Sequence, residues 1–345
     1  MSPGEPLRAA IQRLAVGESL SAEEAAAAFD VVMRGEASPV QVAALLVGLH
    51  VKGETVDEVA GGARALRRAM VPLELAGAGS LVDTCGTGGG RVRTFNISTA
   101  AALVAAGAGV RVAKHGNRSF TSACGSADVL EALGVRIEVP VGGMAQVLDA
   151  AGIVFMYAPL MHPAMRHVGP VRRELAIPTV MNILGPLANP AGAGRQVVGV
   201  ADGGRLPLLG GALVALGCEH ALVVHGEPGV DEISPLGRTR VLEVRAGALA
   251  EWAIHPEDFG FGGARAEELA GTDAGGNARI VLDVLEGRLG GGARAAVVLN
   301  AAAALYVAGR VATFGDGVQL AEVTLDAGGG RAALERLRLA TATGG

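Results

Sequence analysis

The chain has 345 residues, 50% of them apolar and 18% charged, with a net charge of −5. That balance describes a globular chain able to bury a large core and excludes an intrinsically disordered one. The acidic surplus excludes a global positive field of the kind that holds a nucleic-acid backbone. The longest uncharged apolar runs, Ile97–Val110 and Leu206–Cys218, stop at Arg111 and Glu219, short of the roughly 20 residues of a bilayer span. They read as buried elements, and no membrane partner is expected. Met1–Leu20 carries scattered charges and lacks the apolar stretch of a signal peptide. Cys85, Cys124 and Cys218 form neither a disulfide framework nor a C-x₂-C metal site, which fits a reducing cytoplasm.

The first seventy residues read as helices only: Pro6–Val16, then Ser21–Arg34 opened by a Ser21-x-x-Glu24 capping box, then Ser38–Val51 with Pro39 in its first turn. A fourth helix, Val56–Ala69, places Val59, Ala63 and Leu66 on one face. These predict a small all-helical domain over residues 1–72. From residue 77 to 345 short apolar strands alternate with helices. Expected strands are Leu81–Thr84, Val110–Lys114, Val135–Val139, Ile153–Tyr157, Gln196–Val200 and Ala221–Val224, with Arg240–Val244 as an edge. Expected helices are Ser98–Ala106, Ala127–Leu133, Gly143–Ala150 and Leu206–Leu216. The alternation predicts an α/β fold with a largely parallel sheet flanked by helices. A Pro-punctuated helical segment, His162–Leu184, is expected to pack back on the N-terminal helices and open a cleft between the two domains. The glycine runs at 260–263, 274–276 and 289–292 read as loops, and Ala278–Leu285 and Ala293–Val307 as the last, structural helices.

Two loops carry chemistry. Strand Leu81–Thr84 runs into Cys85-Gly86-Thr87-Gly88-Gly89-Gly90, followed by Thr94-Phe95-Asn96-Ile97-Ser98-Thr99 and a helix. Glycines let backbone N–H groups approach an anion, and a helix N-terminus adds partial positive charge. The spacing is neither a P-loop nor G-x-G-x-x-G. Asn96 or Ser98 could also serve as a helix cap. The second loop, Lys114-His115-Gly116-Asn117-Arg118-Ser119, follows the next strand and leads through Gly125-Ser126 into a helix. A cation, amide donors and a second helix N-terminus at one strand's carboxyl end suit a polyphosphate. The positive charge of the chain is almost all arginine, and Lys52 and Lys114 are its only lysines; an ammonium within the second loop therefore draws attention. The six asparagines are equally sparse, four of them between residues 96 and 189.

These motifs, with Gly125-Ser-Ala-Asp-Val-Leu-Glu-Ala-Leu-Gly134, His162-Pro-Ala-Met165, Val171-Arg-Arg-Glu-Leu175, Asn182–Pro190, His225-Gly226, Asp231-Glu-Ile-Ser234 and Asn300-Ala-Ala-Ala-Ala-Leu305, resemble the anthranilate phosphoribosyltransferases over nearly the whole chain. The resemblance implies a nucleoside phosphorylase/phosphoribosyltransferase-like fold and a Mg²⁺-dependent transfer of phosphoribosyl from phosphoribosyl pyrophosphate to anthranilate, releasing pyrophosphate. It implies a homodimer through the helical domain and no nucleic-acid or membrane partner. Carried over by residue, Asp83, Gly86, Thr87, Gly88, Gly89, Thr94, Asn96, Ser98, Thr99, Lys114, Asn117 and Ser126 would hold phosphoribosyl pyrophosphate. Ser98, Asp231 and Glu232 would hold Mg²⁺. Gly86, His115, Asn117, His162, Arg172, Gly185 and Pro186 would line the anthranilate site, with Arg172 forking the carboxylate and Lys114 steadying the departing pyrophosphate. Arg173 is expected to face solvent.

Two features depart from the family. The glycine loop ends in Gly90 and Arg91 where the family has Asp, which implies looser Mg²⁺ binding and a more mobile loop. Phe120–Cys124 replaces a Ser-rich turn. The nearest alternative is a pyrimidine nucleoside phosphorylase; a non-catalytic nucleic-acid-binding relative and a dinucleotide-dependent dehydrogenase stand further off, the last because its glycine spacing is absent.

Overall fold

The computed structural model describes residues 4–75, 80–119 and 124–343; the Phe120–Ala123 part of the unusual turn lies outside them. Four helices open the chain: α1 Glu5–Ala15, α2 Ala22–Met33, α3 Pro39–Lys52 and α4 Val56–Ala69. Capping boxes start three of them, at Ser21/Glu24, Ser38/Gln41 and Thr55/Glu58, each satisfying N–H groups that a helix start leaves without partners. Glu58 does more than cap. Fully buried, it accepts from Leu20 N, Thr55 N and Lys52 Nζ, all at 2.9 Å, so one of the two lysines serves the helical core.

The α/β part then runs β1 Val82–Gly86, α5 Ile97–Gly107, β2 Val112–Gly116, α6 Ser126–Ala132, α7 Val141–Ala151, β3 Ile153–Tyr157, α8 Ala158–Met161, α9 Gly169–Leu175, α10 Met181–Leu184, β4 Arg195–Gly199, α11 Leu206–Ala215 and β5 His220–Gly226. A hairpin, β6 Thr239–Arg245 and β7 Ala248–Ile254, and helices α12 Ala274–Leu285, α13 Gly291–Val307, α14 Phe314–Asp326 and α15 Gly329–Thr343 complete it. The sheet order is β3-β2-β1-β4-β5-β6-β7. The first five strands are parallel, and β6 and β7 are antiparallel.

Helices α5, α13 and α15 cover one face of the sheet around a core that includes Val82, Val112, Leu222 and the nearly all-buried α13. On the other face Val198, Val200, Ala221 and Val223 share a core with Leu7, Phe29, Leu45 and Leu66 of the N-terminal helices. Ala164, Val168, Val171, Met181 and Leu184 belong to that same core, so the Pro-punctuated segment does pack on the helical bundle. It does so as a 3₁₀ turn, Pro163–His167, and two short helices.

Four expectations are corrected. Val135–Val139 is not a strand: Val135, Ile137 and Val139 are buried while Arg136 and Glu138 are exposed, but the segment pairs with no strand and Arg136 N donates to Thr341 Oγ1 of α15 at 3.3 Å. A period of two shows which side is buried, not whether a ladder forms. The edge is β7 rather than β6, because Ala246 and Gly247, at φ 50° and 81°, turn the chain back without the Asn-Gly signature of such hairpins. Residues 274–276 are no loop but the first turn of α12, capped by Asp273 accepting from Gly276 N at 2.8 Å. Helices α14 and α15 follow α13, which is therefore not the last.

Candidate active site

Chain order defines the site. From β1 the sheet grows to one side through β2 and β3 and to the other through β4 and β5, so a crevice opens at the carboxyl ends of β1 and β4. The glycine loop leaves β1 there, the Lys114–Ser119 loop leaves β2, and the Asp231-Glu232 turn follows β5.

The loops meet through the acidic turn. Gly88 N donates to Asp231 Oδ2 at 2.9 Å, and Ser98 N, in the first turn of α5, donates to Glu232 Oε1 at 3.1 Å. Thr87 N and Arg91 N are tied to the carbonyls of Gly199 and Gly229 at 2.9 and 2.8 Å, which holds the glycine loop at both ends. A Cβ at Gly86 would lie 2.9 Å from Asp231 Oδ2, so a side chain there would displace that carboxylate. Gly88 and Gly89 take φ of 69° and 84°, the left-handed region glycine enters without strain.

Asp231 and Glu232 are open to solvent on one side and wrapped by protein on the others. Burial raises the Asp231 carboxyl above its usual range. Burial, and then the neighbouring Asp231 charge, push Glu232 up to about 8. Lys114 lies beneath them, 2% exposed. Its ammonium donates to the carbonyl oxygen of Thr84, and at 3.3 Å to Thr84 Oγ1 and Ser98 Oγ. Burial lowers its pKa, opposed by Asp83, Cys85 and Glu232. Its three N–H donors are therefore engaged under the site rather than directed out of it. Asp83, fully buried, accepts from His115 N at 3.2 Å and Asn189 Nδ2 at 2.7 Å; Thr99 is 1% exposed. Both stand below the crevice and shape it from behind.

Asn117 and Ser126 lie together: Ser126 Oγ donates to Asn117 O at 3.5 Å, and Asn117 Oδ1 accepts from Arg118 N at 2.8 Å. Thr94 bridges to Ala270. Asn96 opens α5, but without a side-chain cap; its Nδ2 donates to Cys124 O at 3.3 Å.

A second cluster lies beside the first. The His115 and His162 rings stand 4.8 Å apart. Among the described residues, His115 Nε2 and both ring nitrogens of His162 are buried without hydrogen-bond partners. Burial, then the His162 ring, lowers His115 to about 3, against a backbone hydrogen bond with Gly185; burial lowers His162 to about 4. Both imidazoles are neutral at pH 7. Pro186 follows Gly185 and its carbonyl accepts from Gln196 Nε2 at 2.9 Å. Arg172 stands on a different element, α9, which packs against α3 and the 163–167 turn; it is half-buried, whereas Arg173 is exposed. A cavity of about 610 Å³ lies elsewhere, between α2, α4 and residues 163–167. The crevice itself shows a narrow pocket lined by Thr84, Cys85, Ser98, Glu232 and Asn300.

Sequence reasoning passed over the residues that hold the site from behind. Asn189 clamps Asp83. Asn300 on α13 pairs through both amide atoms with the backbone of Ile233, at 2.9 Å in each direction. Asn277 donates to Asn96. The scarcity of asparagine is the signal that points to them: Asn189 closes the 96–189 group, and Asn277 and Asn300 lie beyond it.

The donor set suits a hard divalent cation. Asp231 and Glu232 offer carboxylate oxygens made unfavourable as anions by their surroundings, and a cation beside them would reverse that penalty. No group of three or more His, Cys, Asp or Glu among the described residues could hold a metal alone, so substrate oxygens and water would have to share the coordination, as is usual for Mg²⁺.

The fold and site define a glycosyl transferase of two parts. A family model described as "Glycosyl transferase family, helical bundle domain" matches residues 8–70, and "Glycosyl transferase family, a/b domain" matches residues 78–331. The anthranilate phosphoribosyltransferase of Rubrobacter xylanophilus is 52% identical, covering 96% of both chains, and that of Roseiflexus castenholzii 50%, covering 96% of this chain and 97% of the other. The crystal structure of the Thermus thermophilus anthranilate phosphoribosyltransferase superposes with a TM-score of 0.92 at 44% identity, covering 97% and 99%. The Saccharomyces cerevisiae enzyme in complex with PRPP and Mg does so at 0.89 and 26%, covering 98% of each chain. The chain belongs to the anthranilate phosphoribosyltransferase family.

The histidine pair makes a prediction about stability. Both folded pKa values lie below the free value near 6.5, so the neutral rings favour the folded state above pH 6.5 and that contribution is lost as pH falls toward 4. Between pH 6.5 and 5 the loss should be roughly 1–2 kcal/mol for His162. Urea unfolding across this range should show a shallower pH slope in His162→Gln; an unchanged slope would refute the assignment.

Proposed function

We infer that this chain transfers the phosphoribosyl group of phosphoribosyl pyrophosphate to the amine of anthranilate, giving N-(5-phosphoribosyl)anthranilate and pyrophosphate, a step of tryptophan biosynthesis. The observation that carries the reading is the junction of the glycine loop with the acidic turn, Gly88 N to Asp231 Oδ2 at 2.9 Å, in a chain that matches family members along almost its full length.

In this reading the backbone of Gly86, Thr87, Gly88 and Gly89, with Thr94, Asn96, Ser98, Asn117 and Ser126, receives the diphosphate sugar. Asp231 and Glu232, with Ser98, hold Mg²⁺, which when bound neutralises the leaving pyrophosphate. Lys114 is the counter-charge beneath: it balances Asp83 and Glu232 and orients Ser98 rather than grasping phosphate. Thr99 and Asp83 support from below. His115, His162, Gly185 and Pro186 form one wall of the anthranilate site, Gly86 and Asn117 border it, and the Arg172 guanidinium takes the carboxylate. The aniline nitrogen is neutral and nucleophilic without help. A dissociative displacement at ribose C1 therefore needs positioning and charge stabilisation more than proton transfer, and no general base is assigned.

The same reading divides the chain into a helical unit, residues 1–72 with 162–184, and an α/β unit from 77, and places the protein in the cytoplasm. No helix among the described residues is long and apolar enough to cross a membrane. A homodimer through the helical unit would cover Val16, Val40 and Val51, which are 73%, 78% and 78% exposed. Sedimentation should give a dimer that Val40→Asp with Val51→Asp dissociates; a wild-type monomer would end this part of the reading.

Loss of anthranilate fluorescence in the presence of phosphoribosyl pyrophosphate and Mg²⁺ is the direct assay. Arg172→Ala should raise the KM for anthranilate about 10- to 100-fold, the size of a lost charge-assisted pair, with little change in the KM for the sugar donor. No fluorescence change with wild type would overturn the function.

At Gly90 a Cβ would lie 3.1 Å from both Asp231 Oδ1 and Gly229 O, so a carboxylate there would join the acidic turn. Gly90→Asp should lower the Mg²⁺ concentration giving half-maximal activity. An identical Mg²⁺ titration would show that Gly90 does not weaken metal binding.

A further inference from the structure

Asn277 sits in the first turn of α12, far along the chain from either anion loop, and is 2% exposed. Its Oδ1 accepts from Thr272 N at 2.7 Å and its Nδ2 donates to Asn96 Oδ1 at 2.9 Å. Asn96 Nδ2 in turn donates to Cys124 O at 3.3 Å. Both ends of this relay are backbone groups, a donor at Thr272 and an acceptor at Cys124, whose polarity cannot reverse. A carboxamide presents an acceptor on one side and donors on the other. Each amide is therefore fixed in one orientation, and reversing either would set donor against donor or oxygen against oxygen. The 269–272 segment is also stitched to the exit of the glycine loop, through Phe95 N to Leu269 O at 2.9 Å and Gly271 N to Arg93 O at 3.3 Å. Gly276 lets this segment lie against α12, since a Cβ there would fall 1.9 Å from Thr272 Oγ1.

We propose that Asn277 is a positioning residue for the diphosphate sugar: it dictates which way the Asn96 carboxamide faces and locks Asn96, at the end of the first anion loop, to Cys124, at the end of the second. The inference rests on the functional reading above. It leaves one N–H of Asn96 for a phosphate or ribose oxygen, and it fixes the spacing of the two loops before substrate arrives. Asn277→Asp is the sharpest perturbation, because an aspartate of the same shape still accepts from Thr272 N but cannot donate to Asn96.

Steady-state kinetics on Asn277→Ala and Asn277→Asp test it. Each should raise the KM for phosphoribosyl pyrophosphate about tenfold, as expected for one oriented hydrogen bond, with the KM for anthranilate and kcat nearly unchanged. Adding Asn96→Ala to either variant should cost no more than Asn96→Ala alone. A donor KM within twofold of wild type, or additive effects, would overturn the proposal while leaving the wild-type activity, and so the functional reading, intact. If the variants do not fold, the wild type decides: titrating phosphoribosyl pyrophosphate into ¹⁵N-labelled protein should shift the side-chain amide resonances of Asn96 and Asn277 together, and a response from Asn96 alone would overturn it.

Discussion

Adjacent carboxylates wrapped by protein repel one another and lose hydration, and the turn at Asp231 and Glu232 is tolerable only because its surroundings answer that charge. Gly88 N and Ser98 N each give one carboxylate a hydrogen bond, and the second comes from the start of α5, where the helix is partly positive. Lys114 adds a full charge below. Removing any of these partners weakens the reason for the glycine loop, α5 and the acidic turn to converge. What remains unbalanced is an appetite for a cation on the open side, and that imbalance is what the proposed metal-bound diphosphate would satisfy.

The asparagines do the corresponding work without charge. Asn189 joins Asp83 to the carbonyl of Ala113, Asn300 reads the backbone of Ile233, and Asn277 orients Asn96. Each is at most 3% exposed, where an unmet amide would be costly, so each fixes its neighbour in one arrangement. Positioning of this kind suits a reaction whose barrier yields to alignment and electrostatics. The acid–base side chains near the site agree with it: both histidines are held neutral, and burial raises the Cys85 thiol well above its ordinary value.

Much of this was legible in the chain before folding. Capping boxes, apolar periodicity and glycine punctuation are local, and they placed α1 to α4 and six of the seven strands within a few residues. The loops at Gly86–Gly90 and Lys114–Ser119 were readable because each follows a strand directly. The failures are of two kinds. Val135–Val139 alternates like a strand but has no sheet edge to join; β7 was hidden because its turn is Ala246-Gly247; Gly276 makes room for Thr272 inside the first turn of α12 rather than marking a loop. The first depends on which strands become neighbours across the whole sheet, whereas the other two are local turns and caps that lack the usual residue signature.

The sequence by itself determined the elements and the residue types that can hold an anion, a metal and a carboxylate, since these follow from local backbone preference and side-chain chemistry. Only the tertiary structure decided that Asp231 meets Gly88 across 143 positions, that Lys114 faces Thr84 and Ser98 rather than the open crevice, and that Asn277 and Asn300 reach Asn96 and Ile233. Those outcomes depend on which strands become neighbours in the sheet and which helix covers them. That is set by the burial of the whole core, not by any segment of the chain.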